Sequence, residues 1–252
     1  MEVKLLRYTQ KGEALIEYAG RVCHRSGVGG TGTFIKKLIA MGHESVLEHA
    51  SATFEVSGIS RACSHQIVRH RLCSFSQESQ RYVEMEGDVC LFVVPGKIAE
   101  NTAALTVYGD FLGWCKMAYK KLREAGIPKE DARFVLPNAT HTRLIWTANL
   151  REWRHIIKVR CSKAAQWEIR GVCKAILWEL ERVFPNVFDD LCSTFIDGTP
   201  MFPQLVYTIE NCVRDQGLYD KRFGKIVVCT NCNKVRQMTK CLCCGAPWSF
   251  SG

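Results

Sequence analysis

The stretch whose residue types could do chemistry runs from Arg69 to Tyr82. It contains the arginines Arg69, Arg71 and Arg81, together with His70 and a run of serine and glutamine side chains. Guanidinium groups carry fixed forks of donors that match phosphate and carboxylate oxygens, and a hydrogen bond to a charged group contributes about 1.5–3 kcal/mol. A solvated basic turn rarely alternates arginines with serine, glutamine and aromatic residues. The stretch is therefore predicted to bind an anion.

The same stretch resembles the signature of the flavin-dependent thymidylate synthases. An Arg-His-Arg triplet at residues 69–71 is followed after seven residues by Ser79, and then by Arg81-Tyr82. In that family the stretch holds both the flavin and the substrate deoxyuridine monophosphate (dUMP). Many members have Asn-Glu where this chain has Ser76-Gln77, and a Ser-Gln form also occurs in the family.

Further segments resemble the same family. His43 lies in a Gly-His-Glu segment, Arg133 lies in Ala-Arg-Phe-Val-Leu-Pro, and residues 149–168 resemble Asn-x-Arg followed by Val-Arg and Ala-Gln-Trp-Glu. Each also has a purely structural interpretation. Ser45 can belong to a capping box, Arg133 can be an ordinary surface arginine, and His155 can be a helix-surface histidine.

The resemblance implies roles for individual residues, with Arg160 as the catalytic group that pairs with the uracil ring. It implies that dUMP is bound by Gln66, Arg69, Gln77, Glu78, Ser79, Gln80, Arg81, Arg133 and Arg160. It implies that flavin adenine dinucleotide (FAD) is contacted by His43, Ser45, Arg69, His70, Arg71, Gln77, Asn149, Arg151 and His155. The family places its flavin pockets between subunits, so a homotetramer with shared active sites is expected, in which Arg133 reaches a neighbour's nucleotide.

The reaction implied by the resemblance moves a methylene group from methylenetetrahydrofolate to C5 of dUMP. Reduced FAD, regenerated by NADPH, then completes the methyl group. Arginine suits this chemistry, because Arg160 can stabilise negative charge on the N3/O2 side of uracil and activate C5 without a cysteine nucleophile. A covalent role for Ser79 would need a neighbouring general base, and the sequence shows none, so a hydrogen-bonding role is preferred.

Four cysteines near the C-terminus have the spacing of a structural zinc site. They form two Cys-x2-Cys pairs, Cys229 with Cys232 and Cys241 with Cys244, separated by eight residues. Each pair can turn its two sulfurs toward one tetrahedral zinc ion. Cys243 could substitute for Cys241 or Cys244. This segment is not part of the family core, and its role stays open.

The length and composition limit the classes of protein to which the chain can belong. The 252 residues suit one sizeable domain with a small appendage, and 34 lysines and arginines against 25 aspartates and glutamates favour anionic partners. No apolar leader follows Met1 and no run is long enough to span a membrane. A cytoplasmic protein is expected, in which the 14 cysteines are reduced and the clustered ones bind metal.

A function from another class fits the charge and the cysteine spacing equally well. A non-enzymatic nucleic-acid-binding protein would use the basic stretch as a phosphate groove and the cysteines as a zinc ribbon. Colour separates the two hypotheses, because a flavoprotein purifies yellow and bleaches when reduced nicotinamide is added without oxygen.

Two stretches partly match known motifs but lack features that those motifs require. The glycines of residues 27–32 satisfy the letters of a dinucleotide fingerprint, but no clear strand leads into them, so a flexible loop is predicted. His43 and His49 flank two acids, but a zinc-protease helix needs its second histidine at the position of Leu47. Neither stretch is assigned those functions.

The predicted strands and helices must position these residues. Together they indicate an α+β fold, with a mixed sheet and long flanking helices. Residues 1–198 would form the catalytic domain, 199–224 a connecting segment and 225–252 a zinc-ribbon-like segment. Strands are predicted at residues 3–7, 51–56, 89–95 and 142–148. Helices are predicted at residues 12–22, after Thr33, after Ser60, at 101–125, after Pro128, at 149–160 and at 164–184.

The helix after Ser60 is predicted to run into the arginine-rich stretch. Gln66, Arg69, His70 and Cys73 would then follow one another at i, i+3, i+4 and i+7, and would share one helical face. An amide, a guanidinium and an imidazole on one face point to a ligand or a partner rather than to a core.

Overall fold

The structure is a computed structural model that describes residues 1–23, 27, 29–85 and 92–196. These residues fall into two compact units. Unit 1 comprises residues 1–77 and 142–196, and unit 2 comprises the described residues of 78–141. The predicted connecting and zinc-ribbon segments, with Cys229, Cys232, Cys241 and Cys244, lie outside the described residues.

Strands and helices alternate irregularly along the chain. The strands are β1 (Glu2–Tyr8), β2 (Ser51–Ser60), β3 (Ser74–Gln77) and β4 (His141–Asn149). The helices are α1 (Gly12–Val22), α2 (Thr31–Ala40), α3 (Arg61–Ile67), α4 (Gly96–Ala99), α5 (Thr102–Glu124), α6 (Lys129–Ala132), α7 (Leu150–Arg160), α8 (Trp167–Val183) and α9 (Pro185–Phe195), with 3₁₀ helices at Glu44–His49 and Arg133–Val135. None of the helices in the described part of the chain could cross a membrane.

The sheet has four strands in the order β1-β2-β4-β3 and is antiparallel. β1 pairs antiparallel with β2, and β3 with β4. Between the central strands, Leu150 donates its N–H to the Ala50 carbonyl at 2.9 Å, while the hydroxyls of Thr53 and Thr147 meet at 2.9 Å, so β2 and β4 also run in opposite directions. The α+β class is confirmed, whereas the expected mixed sheet is wrong.

The core of unit 1 lies between the sheet and α7. Along β4 every second residue is buried, as the alternation of a half-buried strand requires. Trp146 of β4 packs against Trp153 of α7, with ring centroids 4.8 Å apart, and Trp153 meets Phe54 of β2 edge-on at 5.2 Å. The indole N–H of Trp153 donates to the Ala52 carbonyl at 3.1 Å. This packing fixes α7, which carries several predicted site residues, on the sheet.

Local signals predicted several helix ends correctly. α1 has its predicted bounds, and the side chains of Asn101 and Asn149 cap α5 and α7 by accepting backbone N–H groups. Gly42 and Gly126 adopt left-handed conformations after α2 and α5, with φ of 76° and 83°.

Other element boundaries differ from the prediction. Gly30 is the residue before α2, so Thr33 lies inside the helix rather than at its cap. α8 begins at Trp167 because Gln166 caps it by accepting the N–H groups of residues 168 and 169, so the predicted start at Ala164 is wrong. Of the strand predicted at 89–95, the described part shows bridge residues at Phe92 and Val93, and Phe92 pairs with Thr140.

The predicted extension of α3 into the arginine-rich stretch is also wrong. α3 ends at Ile67, whose carbonyl accepts the N–H of His70 at 3.1 Å in a tight turn. The chain then enters β3, which pairs with β4. Arg69, His70 and Cys73 therefore lie beyond the helix and share no helical face with Gln66.

Unit 2 is organised by α5. Leu105, Leu112 and Tyr119 of this helix are buried in a second hydrophobic cluster. The Tyr119 hydroxyl accepts the N–H of Met85 at 3.2 Å, which ties the end of the arginine-rich stretch to the helix.

A buried arginine joins three elements of unit 1. Arg154 of α7 is 1% exposed and donates to both carboxylate oxygens of Asp190 on α9 at 2.7 Å. It also donates to Glu44 at 3.3 Å and to the Val187 carbonyl. Burial would raise the pKa of Asp190, but its hydrogen bonds to Arg154 hold that pKa below the ordinary value.

Replacing Arg154 with alanine is expected to lower the free energy of unfolding by about 3 kcal/mol, the lower end of the range for breaking a buried pair. The loss stays at that end because Asp190 is half-exposed and can regain water. Urea unfolding measures the change.

Arg182→Ala is the matched control, because Arg182 forms an exposed pair with Glu179 at 2.7 Å. Its effect should stay within about 1 kcal/mol. Equal losses in the two variants would show that the buried position of Arg154 does not matter.

Candidate active site

The structure brings Arg160, His70 and Gln66 together in unit 1. Arg160 is the last residue of α7, and its Nε donates to His70 Nε2 at 3.0 Å. Its Nη2 donates to the backbone carbonyl of Gln66 near the end of α3 at 3.3 Å. Gln66 thus contributes its backbone here, while its side-chain amide donates to the Ala62 carbonyl at 3.5 Å. The guanidinium predicted to be catalytic is held by two acceptors.

Helix α3, which supplies the Gln66 carbonyl, is anchored at its start by Glu168 of α8. The buried Glu168 carboxylate accepts the N–H of Ser60 at 2.7 Å and its hydroxyl at 2.6 Å, and the Ser60 oxygen in turn accepts the N–H of Cys63 at 3.0 Å. Burial raises the pKa of Glu168, and the two bonds from Ser60 oppose that rise. The cap therefore fixes the start of α3, the helix that precedes the arginine-rich stretch.

His70 is a buried, neutral imidazole. It is 8% exposed, and burial, followed by the positive charges of Arg160 and His155, lowers its pKa to about 4. An arginine can only donate hydrogen bonds, so His70 Nε2 must accept and the imidazole proton lies on Nδ1. The Arg160 charge is therefore not cancelled by its immediate partner.

Glu152 is a site residue that the sequence reasoning missed. Its side chain is buried, and its Oε1 lies 3.8 Å from His70 Nδ1. The polar side-chain atoms of His70, Glu152 and His155 all lie within 4.8 Å of one another. The i, i+3 spacing of Glu152 and His155 on α7 could have indicated this pair, but no local pattern indicated that Glu152 is buried.

Two arginines beside His70 are available for an anion. Arg69 and Arg71 are exposed, and neither makes a hydrogen bond or an ion pair with another residue in the described part of unit 1. His43 and Ser45 are exposed as well, and the capping box of Ser45 does not form, since no side chain caps its 3₁₀ helix. These donors fit the anionic pyrophosphate of a dinucleotide.

Three other predicted flavin ligands also have structural partners. The Asn149 side-chain oxygen caps α7, and Arg151 forms an exposed pair with Glu48 at 2.5 Å. The Gln77 amide nitrogen donates to Ser64 Oγ at 2.9 Å and to Thr142 Oγ1 at 3.1 Å. Only the carbonyl oxygen of Gln77 remains for a ligand.

Two of the predicted nucleotide ligands of unit 2 converge on Glu130. Arg81 Nε pairs with the Glu130 carboxylate at 2.5 Å, and Arg133 Nε donates to the Glu130 backbone carbonyl at 3.1 Å. Ser79 Oγ accepts the N–H of Arg81 at 3.2 Å. Gln80 Nε2 is buried and has no partner in the described part of the chain, so it can serve a ligand. Glu130 was missed by the sequence reasoning.

Comparison with known proteins places these residues in one family. Residues 4–186 match the family described as thymidylate synthase complementing protein. The flavin-dependent thymidylate synthase of Geobacter sulfurreducens is 43% identical over 200 residues, which cover 75% of this chain and 86% of that protein. The enzyme of the same name from Mycobacteroides abscessus is 38% identical over 220 residues, covering 78% and 87%.

A solved structure gives the same assignment. Thymidylate Synthase X from Helicobacter pylori, crystallised with FAD and dUMP, superimposes with a TM-score of 0.63 at 26% identity and covers 76% of this chain and 99% of that one. The non-enzymatic nucleic-acid-binding hypothesis is therefore wrong for residues 4–186. The chain belongs to the family of flavin-dependent thymidylate synthases.

Proposed function

We propose that the chain makes thymidylate from dUMP with methylenetetrahydrofolate as the one-carbon donor and NADPH as the reductant of its FAD. Thymidylate synthase activity follows from membership of the family. Methylenetetrahydrofolate as the one-carbon donor, NADPH as the reductant and the roles of individual residues are proposed.

The observation that carries the proposal is the setting of Arg160. Two acceptors, an imidazole nitrogen and a backbone carbonyl, hold the guanidinium without neutralising it. The remaining N–H groups can bind the N3/O2 side of uracil, where stabilised negative charge would make C5 more nucleophilic toward the one-carbon group. A preorganised, partly buried donor stabilises such charge far better than water does.

The side chains of unit 1 fit FAD. Arg69 and Arg71 would bind its pyrophosphate, and the other predicted flavin ligands of unit 1 would contact the remainder: His43, Ser45, His70, Gln77, Asn149, Arg151 and His155. Reduced flavin would supply the hydride that completes the methyl group. The neutral His70 adds no further positive charge beside Arg160.

The side chains of unit 2 fit the phosphate of dUMP. Arg81 and Arg133 meet at Glu130, so one anion could engage both guanidinium groups. An exposed ion pair such as Arg81–Glu130 contributes only about 0–1 kcal/mol, so a phosphate can displace the carboxylate. Ser79 and Gln80 would add neutral hydrogen bonds. Gln66, Arg69, Gln77 and Glu78 complete the proposed nucleotide ligands.

We propose a homotetramer with shared sites. α5 presents Val107, Phe111 and Trp114 at i, i+4 and i+7, and all three are more than half exposed. An apolar stripe of this size on a helix is typical of a protein interface. Arg133, which lies in unit 2, is proposed to serve a neighbour's site.

Arg160→Ala is expected to reduce kcat by about 100- to 1,000-fold, the cost of removing one preorganised donor to developing negative charge. FAD absorbance should remain, because the exposed arginines beside His70 are untouched. Steady-state thymidylate formation and the flavin spectrum measure the two effects.

Arg143→Ala is the control for Arg160→Ala. Arg143 is an exposed arginine of β4, 3.9 Å from Glu55, and has no role in the proposed site. Wild-type turnover by Arg160→Ala would rule out the proposed role of Arg160.

Shared sites predict that two inactive variants can restore each other. Chains with Arg133→Ala and chains with Arg160→Ala should each have little activity, whereas mixed oligomers should regain a measurable fraction, since some sites then contain both arginines. Native mass spectrometry must show that hybrids form. Hybrids without activity would mean that each site takes both arginines from one subunit.

The C-terminal cysteines are proposed to bind one structural zinc ion per chain, because four thiolates close the tetrahedral shell and leave no position for water. The double variant Cys229→Ser/Cys232→Ser should lose this zinc in elemental analysis and keep its FAD absorbance. Cys23→Ser, which changes an exposed free cysteine, should keep both. Full zinc content in the double variant would show that the metal lies elsewhere.

A further inference from the structure

Glu152 is a buried carboxylate to which the proposed function gives no task. It lies in the first turn of α7, where its backbone N–H bonds to the Asn149 side chain at 2.9 Å. Its side chain is 9% exposed, and its Oε1 faces His70 Nδ1 at 3.8 Å. A buried ionisable group requires a compensating interaction, and His70 is positioned to provide it.

His70 is held from its other side by Arg160. The guanidinium donates to His70 Nε2 at 3.0 Å, so that nitrogen must carry a lone pair. The imidazole proton then lies on Nδ1, the nitrogen that faces Glu152. Guanidinium, imidazole and carboxylate therefore follow one another in a chain of polar groups.

We propose that Glu152 is a positioning residue for thymidylate synthesis, whose carboxylate selects the Nδ1–H tautomer of His70 and thereby fixes the Arg160 guanidinium. This inference rests on the proposed function, in which Arg160 acts on the uracil ring. A carboxylate that orients a histidine through its second nitrogen is a common device in metal sites and in hydrolase triads. Here the oriented group is an arginine.

The charges around His70 favour this arrangement. Arg160 and His155 both disfavour a protonated imidazole and, together with burial, keep the pKa of His70 at about 4. Burial raises the pKa of Glu152 above its usual value, and His155 opposes that rise. Protonation of Glu152 as pH falls would remove the negative charge that faces His70 Nδ1.

The first experiment reads the tautomer of His70. The full chain, purified with its flavin and labelled with nitrogen-15 histidine, should show the Nδ1–H form for the resonance that disappears in His70→Asn. In Glu152→Gln the Nε2–H form should increase, because an amide can present either its oxygen or its nitrogen to Nδ1. A wild-type Nε2–H tautomer, or no change in Glu152→Gln, would overturn the inference.

The second experiment measures turnover. Glu152→Gln should lower kcat roughly tenfold, the scale of losing a histidine's carboxylate partner, and leave the KM for dUMP unchanged. In the wild type, kcat should fall as pH drops through the raised pKa of Glu152, whereas the variant should stay level over that range. Glu152→Asp should restore part of the wild-type kcat and its pH dependence.

Glu179→Gln on α8 is the matched control, because it changes a partly exposed carboxylate paired with the exposed Arg182. It should keep the wild-type tautomer, kcat and pH profile. Wild-type kcat and pH profile in Glu152→Gln, with activity lost in Arg160→Ala, would refute the role of Glu152 alone. Activity retained in Arg160→Ala would instead refute the proposed role of Arg160.

Discussion

The contact between Arg160 and a neutral His70 is the constraint on which the rest of the site depends. A guanidinium can rest against an imidazole only if that imidazole stays unprotonated, and burial of His70 ensures this. Burial in turn requires the chain to leave α3 at Ile67 and to continue into β3 beside Trp146 of β4, whose ring lies 6.2 Å from His70. The turn after α3, the pairing of β3 with β4 and the neutral state of His70 therefore depend on one another.

Sequence reasoning succeeded where the determining physics is local. Asn101 and Asn149 cap their helices through their own side chains, and Gly42 and Gly126 end helices because they tolerate positive φ. Sequence reasoning failed for the extent of α3. The polar residues after Ile67 have helical spacing, but the pairing of β3 with β4 requires the chain to leave the helix there. The antiparallel sheet was missed for the same reason, because strand order depends on contacts between distant parts of the chain.

Some residues of the candidate site were predicted from the sequence, and others were missed. Resemblance supplied Arg160, His70 and Gln66, which the structure brings together, although Gln66 contributes its carbonyl to the contact. Asn149 has a structural role, since its side-chain oxygen caps α7, and its predicted contact with FAD would be left to the amide nitrogen. Glu152 was missed because its importance lies in burial beside His70, which follows from how α7 packs on the sheet.

The two arginine settings differ in a way that suits different tasks. Arg81 is paired with the exposed carboxylate of Glu130, an interaction that costs little to exchange for a phosphate. Arg160 is held by a neutral nitrogen and a carbonyl, so its full charge remains for the uracil ring in the proposed mechanism. A carboxylate in direct contact with Arg160 would neutralise that charge before the reaction. In the proposed arrangement Glu152 lies behind His70, and it orients Arg160 without neutralising it.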